Sequence, residues 1–376
     1  VPAWIDELHP TYITHCFRGL TNVIRNQLRG NSTGVDAKIA WEPVIRLARE
    51  VIARGRMNTL PIVVQDEDDR WGEGWRDVMQ EIARFLDDAL NQQKDPVPLS
   101  LMSAIWECID YLCEHPDPSP EREAEEKSFD PYTLSINCVR GEAFHALFAF
   151  IYWHDRLHEK SRQPNNRIVQ EAKKKLQEYF AHPEKYNVVS HTVCGANFRW
   201  MIVYDTSLAE EIKDKLFEDT RNGEAAWIAY LLRGLSTQSF GMLQLQYGNA
   251  IENLSRQTSE ENHRRGLDPV QNLIGHIAAV YAYQWDGAET LLKKFLSTAS
   301  PEQRGQLWSE IGRNFVTCEY KKDDKRPSVA ALENIWEARL RDAQDPMELK
   351  EFGWWIKEGY FDDQWMLERL NETMKK

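Results

Sequence analysis

The sequence predicts an all-α protein, a degenerate helical-repeat solenoid assembled from antiparallel helix pairs. Three observations point there. Apolar residues recur at i, i+3, i+4 and i+7 over most of the 376 residues, which is the stripe of an amphipathic helix and not the alternation of a half-buried strand. Capping residues followed by proline mark helix starts at several places. Short polar loops separate segments of about 10–20 residues, a length that packs as paired helices.

Taken in order, the first stripe is Val44, Leu47, Ala48, Val51 and Ile52; the second is Ile82, Phe85, Leu86, Ala89 and Leu90. Leu101, Ala104, Ile105, Cys108, Ile109 and Leu112 form a third, and Ala143, Phe144, Leu147, Phe148 and Ile151 a fourth. The pattern continues through residues 208–217, 225–232, 237–254, 270–284, 302–316 and 329–340. Strand-like composition is confined to Leu60–Val64 and Tyr186–Val193, neither of which belongs to a substantial sheet. Ser300-Pro301-Glu302-Gln303 fits a capping box, in which the serine oxygen takes a first-turn amide and the glutamine reaches back. Asp345-Pro346-Met347-Glu348 is its acidic equivalent, and Asp130-Pro131 and Asp268-Pro269 are further starts.

At about 40 residues per helix pair the chain holds roughly nine pairs. No fixed-period consensus of the tetratricopeptide (TPR) kind appears, so a degenerate array resembling HEAT repeats is the better description. Two stretches interrupt it: residues 56–75, with Pro61 and the run Asp66–Asp69, and residues 115–130, with three prolines and the charged segment Glu121–Lys127. The second gives the expected boundary between an N-terminal helical segment, 1–120, and a C-terminal helical-repeat region, 121–376.

Composition narrows the function classes. Acidic residues number 59 against 46 basic, a formal charge of −13, which disfavours a protein that tracks a nucleic-acid backbone. No apolar run approaches the roughly 18 residues of a membrane-spanning helix. Six scattered cysteines without framework spacing fit a reduced, cytoplasmic setting. Val1 in place of Met fits a piece of a longer protein.

The chain shows no phosphate loop, no dinucleotide-binding glycine pattern, no nucleophile elbow and no H-E-x-x-H, so it is expected not to be an enzyme and to carry no catalytic, cofactor or metal residues. His154 and His158 share a helix face but lack a third ligand, and a solvated pair is the favoured reading. Cys108, Cys113 and His115 invite zinc, yet Cys108 sits in an apolar stripe as buried cysteines do. Asp66–Asp69 reads as a solvated loop, since consecutive carboxylates cannot all face one ion. The basic groups Lys173–Lys175, His263–Arg265 and Lys321-Lys322 with Lys325-Arg326 are diluted by neighbouring acids or by the net charge and read as solvated surface.

Aromatic residues remain. Trp71 with Trp75, Tyr152 with Trp153, Phe198 with Trp200 and Trp354 with Trp355 are close pairs. Immediate neighbours on a helix cannot face one way, so one of each such pair belongs near an edge or an interface.

Three stretches together resemble one family. They are DPYTLSINCVRGEAFHALFAF at 130–150, LAEEIKDKLFEDTRNGEAAWIAYL at 208–231 and ELKEFGWWIKEGYFDDQWMLERL at 348–370. This order is similar to the C-terminal helical-repeat sensor region of prokaryotic antiviral STAND NTPases of the Avs-like kind, and the resemblance runs from Asp130 almost to the end. It implies a target-sensing array that binds a phage protein, the terminase large subunit or the portal, and thereby activates a longer protein. ATP, Mg, the effector and oligomerisation would belong to that longer protein. The alternatives are a nucleic-acid-binding HEAT-like protein and a general interaction scaffold.

The motif residues have a physical reading as scaffold. Asn137, Arg140 and Gly141 tie a neighbouring turn at a helix start. The small-then-large order Ala225, Ala226, Trp227 after Gly223 suits a close helix crossing, and Gly353 lets Trp354 and Trp355 pack closely. Trp, Tyr and Arg are the usual anchors of protein interfaces, so Arg70, Trp71, Trp75, Trp153, Arg199 and Trp200 are the predicted partner-binding residues.

Overall fold

A computed structural model of the chain describes residues 9–28, 39–58, 74–125, 130–158, 169–182, 188–254, 268–320, 326–343 and 345–376. These residues are helical or irregular, with no strand among them. The chain divides into two compact units, Val1–Tyr230 and Leu231–Lys376.

In chain order the helices begin with α1 (Pro10–Leu28), α2 (Trp41–Asn58), α3 (Trp75–Asn91), α4 (Met102–Cys113), α5 (Pro120–Glu125), α6 (Pro131–Ser135) and α7 (Val139–Leu157). Next come α8 (Gln170–Ala181), α9 (Val188–Tyr204), α10 (Thr206–Leu216) and α11 (Arg221–Arg233), the last containing the division between units. The second unit continues with α12 (Thr237–Met242), α13 (Gln244–Glu252), α14 (Pro269–Ala282), α15 (Ala288–Thr298), α16 (Pro301–Ile311), α17 (Val329–Asp342), α18 (Pro346–Leu349) and α19 (Asp363–Thr373). A π-helical turn, Gly312–Val316, extends α16, and a 3₁₀ segment, Lys350–Trp355, follows α18.

All four predicted starts form. Ser300 Oγ accepts from the Gln303 amide while Gln303 Oε1 accepts from the Ser300 amide, and Asp130, Asp268 and Asp345 each accept from first-turn amides. Tyr186–Val193 departs from its strand-like composition, because Val188–Val193 opens α9. That helix is buried along most of its length, Val188 to Ala196 without a break. Over that stretch the helix is covered on all sides and shows no polar face, so the sequence there carries no stripe to read. Leu60–Val64 lies outside the described residues.

In the first unit α3 lies between α1 and α7. Phe17 meets Phe85 edge-on at 5.6 Å, and ion pairs Arg18–Glu81, Arg25–Asp88 and Arg84–Glu142 run along the seams. The expected boundary at 120/121 falls inside this unit, and residues on both sides of it meet at Asp117. That buried carboxylate pairs with Arg76 at 3.0 Å and Arg122 at 2.8 Å and accepts the Val139 amide at 2.8 Å. Burial opposes its charge, but the guanidiniums and that amide outweigh it and hold the Asp117 carboxyl below the usual range.

The core of the second unit is a pile of aromatics. Phe352 stacks on Trp336 at 5.1 Å and on Trp308 at 5.4 Å, and the buried indole of Trp355 donates to the Trp308 carbonyl at 2.8 Å. Beneath it Glu348, fully buried, takes the guanidiniums of Arg304 and Arg339, each at 2.6 Å. Gly312, not Gly353, makes the close approach to Trp354 and Trp355: a Cβ on Gly312 would stand 2.6 Å from Trp354 Cβ, whereas Gly353 has open space.

Each unit buries a tyrosine–histidine pair among its described residues. Tyr179 meets His191 Nδ1 in the first, and in the second the Tyr247 hydroxyl meets His276 Nδ1 at 2.6 Å. Burial pushes both imidazoles down to about 4. An unfolded imidazole titrates near ~6.5, so below that pH the unfolded chain holds a proton the folded chain refuses, and stability falls as pH drops toward 4. Going from pH 7 to pH 5 is expected to cost the second unit about 2 kcal/mol through His276 alone. Urea titrations at pH 5, 6 and 7 should show His276→Gln with a shallower pH dependence than the parent; an unchanged slope would remove His276 as its source.

Candidate protein-binding surfaces

Of the six predicted anchors, Arg70 and Trp71 lie outside the described residues. Trp75, the first residue of α3, is half-buried with its ring against Gly55 of α2. Trp153 is a correction: it is fully buried and its indole donates to the Val97 carbonyl at 2.9 Å, so it is core and offers nothing to a partner. The physical reason is its place in α7, which packs against α3, α4 and α9 and therefore has little free face.

The structure does bring Arg199 and Trp200 together. Trp200 ends up 38% exposed near the end of α9, with the Arg199 guanidinium 4.6 Å from its ring centre. From α7, Tyr152 supports it at 5.8 Å between rings and stacks on Tyr204 at 5.4 Å. The Tyr152 hydroxyl is fixed by donating to Asn197 Oδ1 at 2.6 Å. The exposed indole is thus held on a rigid base, which lowers the ordering cost of using it as an anchor.

The second unit has its own surface, which the anchor set missed. Trp354 is 46% exposed, with the Arg313 guanidinium 4.1 Å from its ring centre. The π-helical turn and Gly312 place Arg313 there, since the glycine lets the Trp354 backbone come close. Beside the pair lies an open groove of about 310 Å³ between α16, α18 and the 3₁₀ segment, lined by Glu302, Glu310, Lys350, Glu351 and the 40%-exposed Met347 among others. Glu310 accepts from Gln271 Nε2 and Asn314 Nδ2, both at 2.5 Å, and Glu351 accepts from the Trp354 indole at 3.1 Å. The sequence signal was present in the Trp354-Trp355 doublet: Trp355 is buried and Trp354 faces out. The α16 stripe gave no hint that a π turn would add Arg313.

His154 and His158 stack at 4.2 Å, and the His158 Nδ1–H donates to the His154 carbonyl. Burial, then the His158 charge, lowers the His154 imidazole. Cys108 and Cys113 are buried and their thiols are pushed up to about 12, while His115 Nδ1 accepts the Asp117 amide at 3.1 Å. Among the described residues no three or more His, Cys, Asp and Glu side chains converge as for a metal ion. Lys173 pairs with Asp205, and Lys175 with Asp110 and Glu114. Asp66–Asp69, His263–Arg265 and Lys321, Lys322 and Lys325 lie outside the described residues. No described helix is long and apolar enough to cross a membrane.

The chain matches no protein-family model, no curated protein and no solved structure.

Proposed function

We propose that this chain is the target-sensing helical array of a prokaryotic antiphage STAND NTPase, a solenoid that binds a conserved phage protein, the terminase large subunit or the portal. The observation that supports a protein-binding role is the pairing of arginine and tryptophan at the surface of each unit. Among the described residues Trp200 and Trp354 are the exposed tryptophans, and each has a guanidinium over its ring. The exposed part of each indole forgoes a share of the roughly 1.5–3 kcal/mol that full burial of a large apolar side chain supplies, and Trp and Arg dominate the energetics of protein interfaces. The particular target rests on the three sequence stretches that resemble the sensor family, which supply a reason to test packaging proteins first.

Nucleic acid is the weaker reading. Of the run Lys173–Lys175, Lys173 and Lys175 are spent on carboxylates of their own unit and Lys174 alone is exposed, and the chain carries a charge of −13. Co-expression of the chain with each phage protein, followed by affinity capture, is expected to yield a complex with one of them. Capture of neither, where a longer protein containing this array responds to them, would refute the target.

A further inference from the structure

The groove beside Trp354 has a chemistry of its own. Its carboxylates are Glu302, Glu310 and Glu351, and its cations are Arg313 and Lys350. Both cations are engaged locally, Arg313 over the Trp354 ring and Lys350 at 3.8 Å from Glu351. Two of the carboxylates are held in place by neutral donors, Glu310 by Gln271 and Asn314 and Glu302 by the Ser300 hydroxyl at 2.8 Å, while Glu351 takes the Trp354 indole and is paired with Lys350. Neutral donors orient a carboxylate without cancelling its charge, so the groove keeps an excess of fixed acceptors. Met347 adds an apolar wall. Carboxylates at the head and an apolar wall along the stem are what a long cationic side chain needs, because its methylenes bury while its charged end makes charge-assisted hydrogen bonds. At about 310 Å³ the groove sits at the small end of the roughly 300–1,000 Å³ range of ligand sites, room for one or two side chains rather than a folded element.

We propose that this groove receives a basic side chain, lysine or arginine, from the surface of the protein partner, with Glu302 and Glu310 taking the charge and Met347 the stem. This rests on the reading of the chain as a protein-binding array and adds to it the chemistry of the docking segment. A partner presenting an acidic or purely apolar segment here would meet unbalanced carboxylates and be rejected.

The test uses the whole chain and two fluorescein-labelled hexapeptides, alternating glycine with lysine or glycine with glutamate, followed by polarisation at low salt. The lysine peptide is expected to bind at least tenfold more tightly than the glutamate peptide. Glu310→Gln and Glu302→Gln, which keep shape and remove charge, should each weaken it at least threefold, whereas Asp214→Asn on the exposed face of α10 in the first unit should not. Equal binding of the two peptides would overturn the proposal. So would equal weakening by all three substitutions, which would mark general attraction to an acidic chain. Glu302 is exposed in the first turn of α16, and a glutamine there still accepts from the Ser300 hydroxyl, so its variant reports on the groove even if Glu310→Gln perturbs α16. The outcomes separate from those of the sensor reading: a phage protein captured normally by the Glu302→Gln, Glu310→Gln double variant sinks the groove alone, and a groove that selects lysine in a chain capturing neither phage protein sinks the target alone.

Discussion

Glu348→Ala is expected to destabilise the second unit by about 3–5 kcal/mol, the cost of removing one partner from a buried ionic group. The carboxylate is fully buried between Arg304 and Arg339, and Arg304 also donates to the Ala299 carbonyl at 2.6 Å. Truncation strands two guanidiniums that are only 19% and 13% exposed, too little contact with water for hydration to replace the lost oxygens. The penalty comes from stranded charge more than from any net worth of the triad. Replacing all three, Arg304→Met with Arg339→Met and Glu348→Leu, is therefore expected to recover most of the loss. Urea unfolding followed by tryptophan emission measures both variants; a Glu348→Ala change under about 1 kcal/mol would contradict the burial argument. The effect reaches the groove as well, because Glu348 sits between Met347 and Lys350, and α18 lies so close to α16 that a Cβ on Gly305 would stand 2.8 Å from the Met347 carbonyl.

The second large effect is expected at Gly195. A methyl group there would stand 2.1 Å from the Ala226 carbonyl oxygen, with further backbone atoms of Ala226 at 2.7 Å. Backbone cannot rotate away as a side-chain tip can, so α9 and α11 must separate, and overpacking of this kind costs typically about 1–3 kcal/mol or more. Gly195→Val should exceed Gly195→Ala. Gly19→Ala is the control: that glycine of α1 has nothing within 4 Å, and the substitution is expected to be neutral or to stabilise by up to about 1 kcal/mol through the unfolded chain. Thermal or urea melts of the three variants decide it; Gly195→Ala behaving like Gly19→Ala would show that the crossing is looser than described. Since α9 carries Arg199 and Trp200, the same substitutions should also weaken binding through the first unit.

Much of this was legible in the residues. The helix over 329–340 follows its stripe because it has one buried and one wet face, and that over 82–90 because its polar side is only half-buried, whereas 143–151 keeps its stripe although His145 alone is not buried. The crossing at Ala226 was readable from its small-then-large order, although the partner glycine at 195 was not. Gly141 behaves as its position suggested, with a Cβ there only 2.0 Å from the Ser135 carbonyl, and Asn137 and Arg140 donate to the carbonyls of Thr133 and His115. Two things were hidden. The first half of α9, buried all round from Val188 to Ala196, has no periodic signal, and Trp153 looked like an anchor because sequence cannot tell how many neighbours surround a helix. The proline-rich segment around Asp117 reads as an interruption because its order comes from ion pairs with Arg76 and Arg122 and from the Val139 amide, not from a helical stripe. For the candidate surfaces the doublets told that one ring of Trp354-Trp355 would face out, while the arginine that lies over it came from a π turn no stripe announces.

We propose that the chain binds a folded phage packaging protein through its exposed arginine–tryptophan surfaces. The most direct measurement of this binding is calorimetric titration of the purified chain with terminase large subunit and with portal, repeated for Trp200→Ala and Trp354→Ala. The account predicts binding to one of the two proteins, weakened by over about 1 kcal/mol, roughly fivefold, in at least one variant with helical content unchanged. Binding that neither substitution weakens, or no binding to either protein, would contradict it.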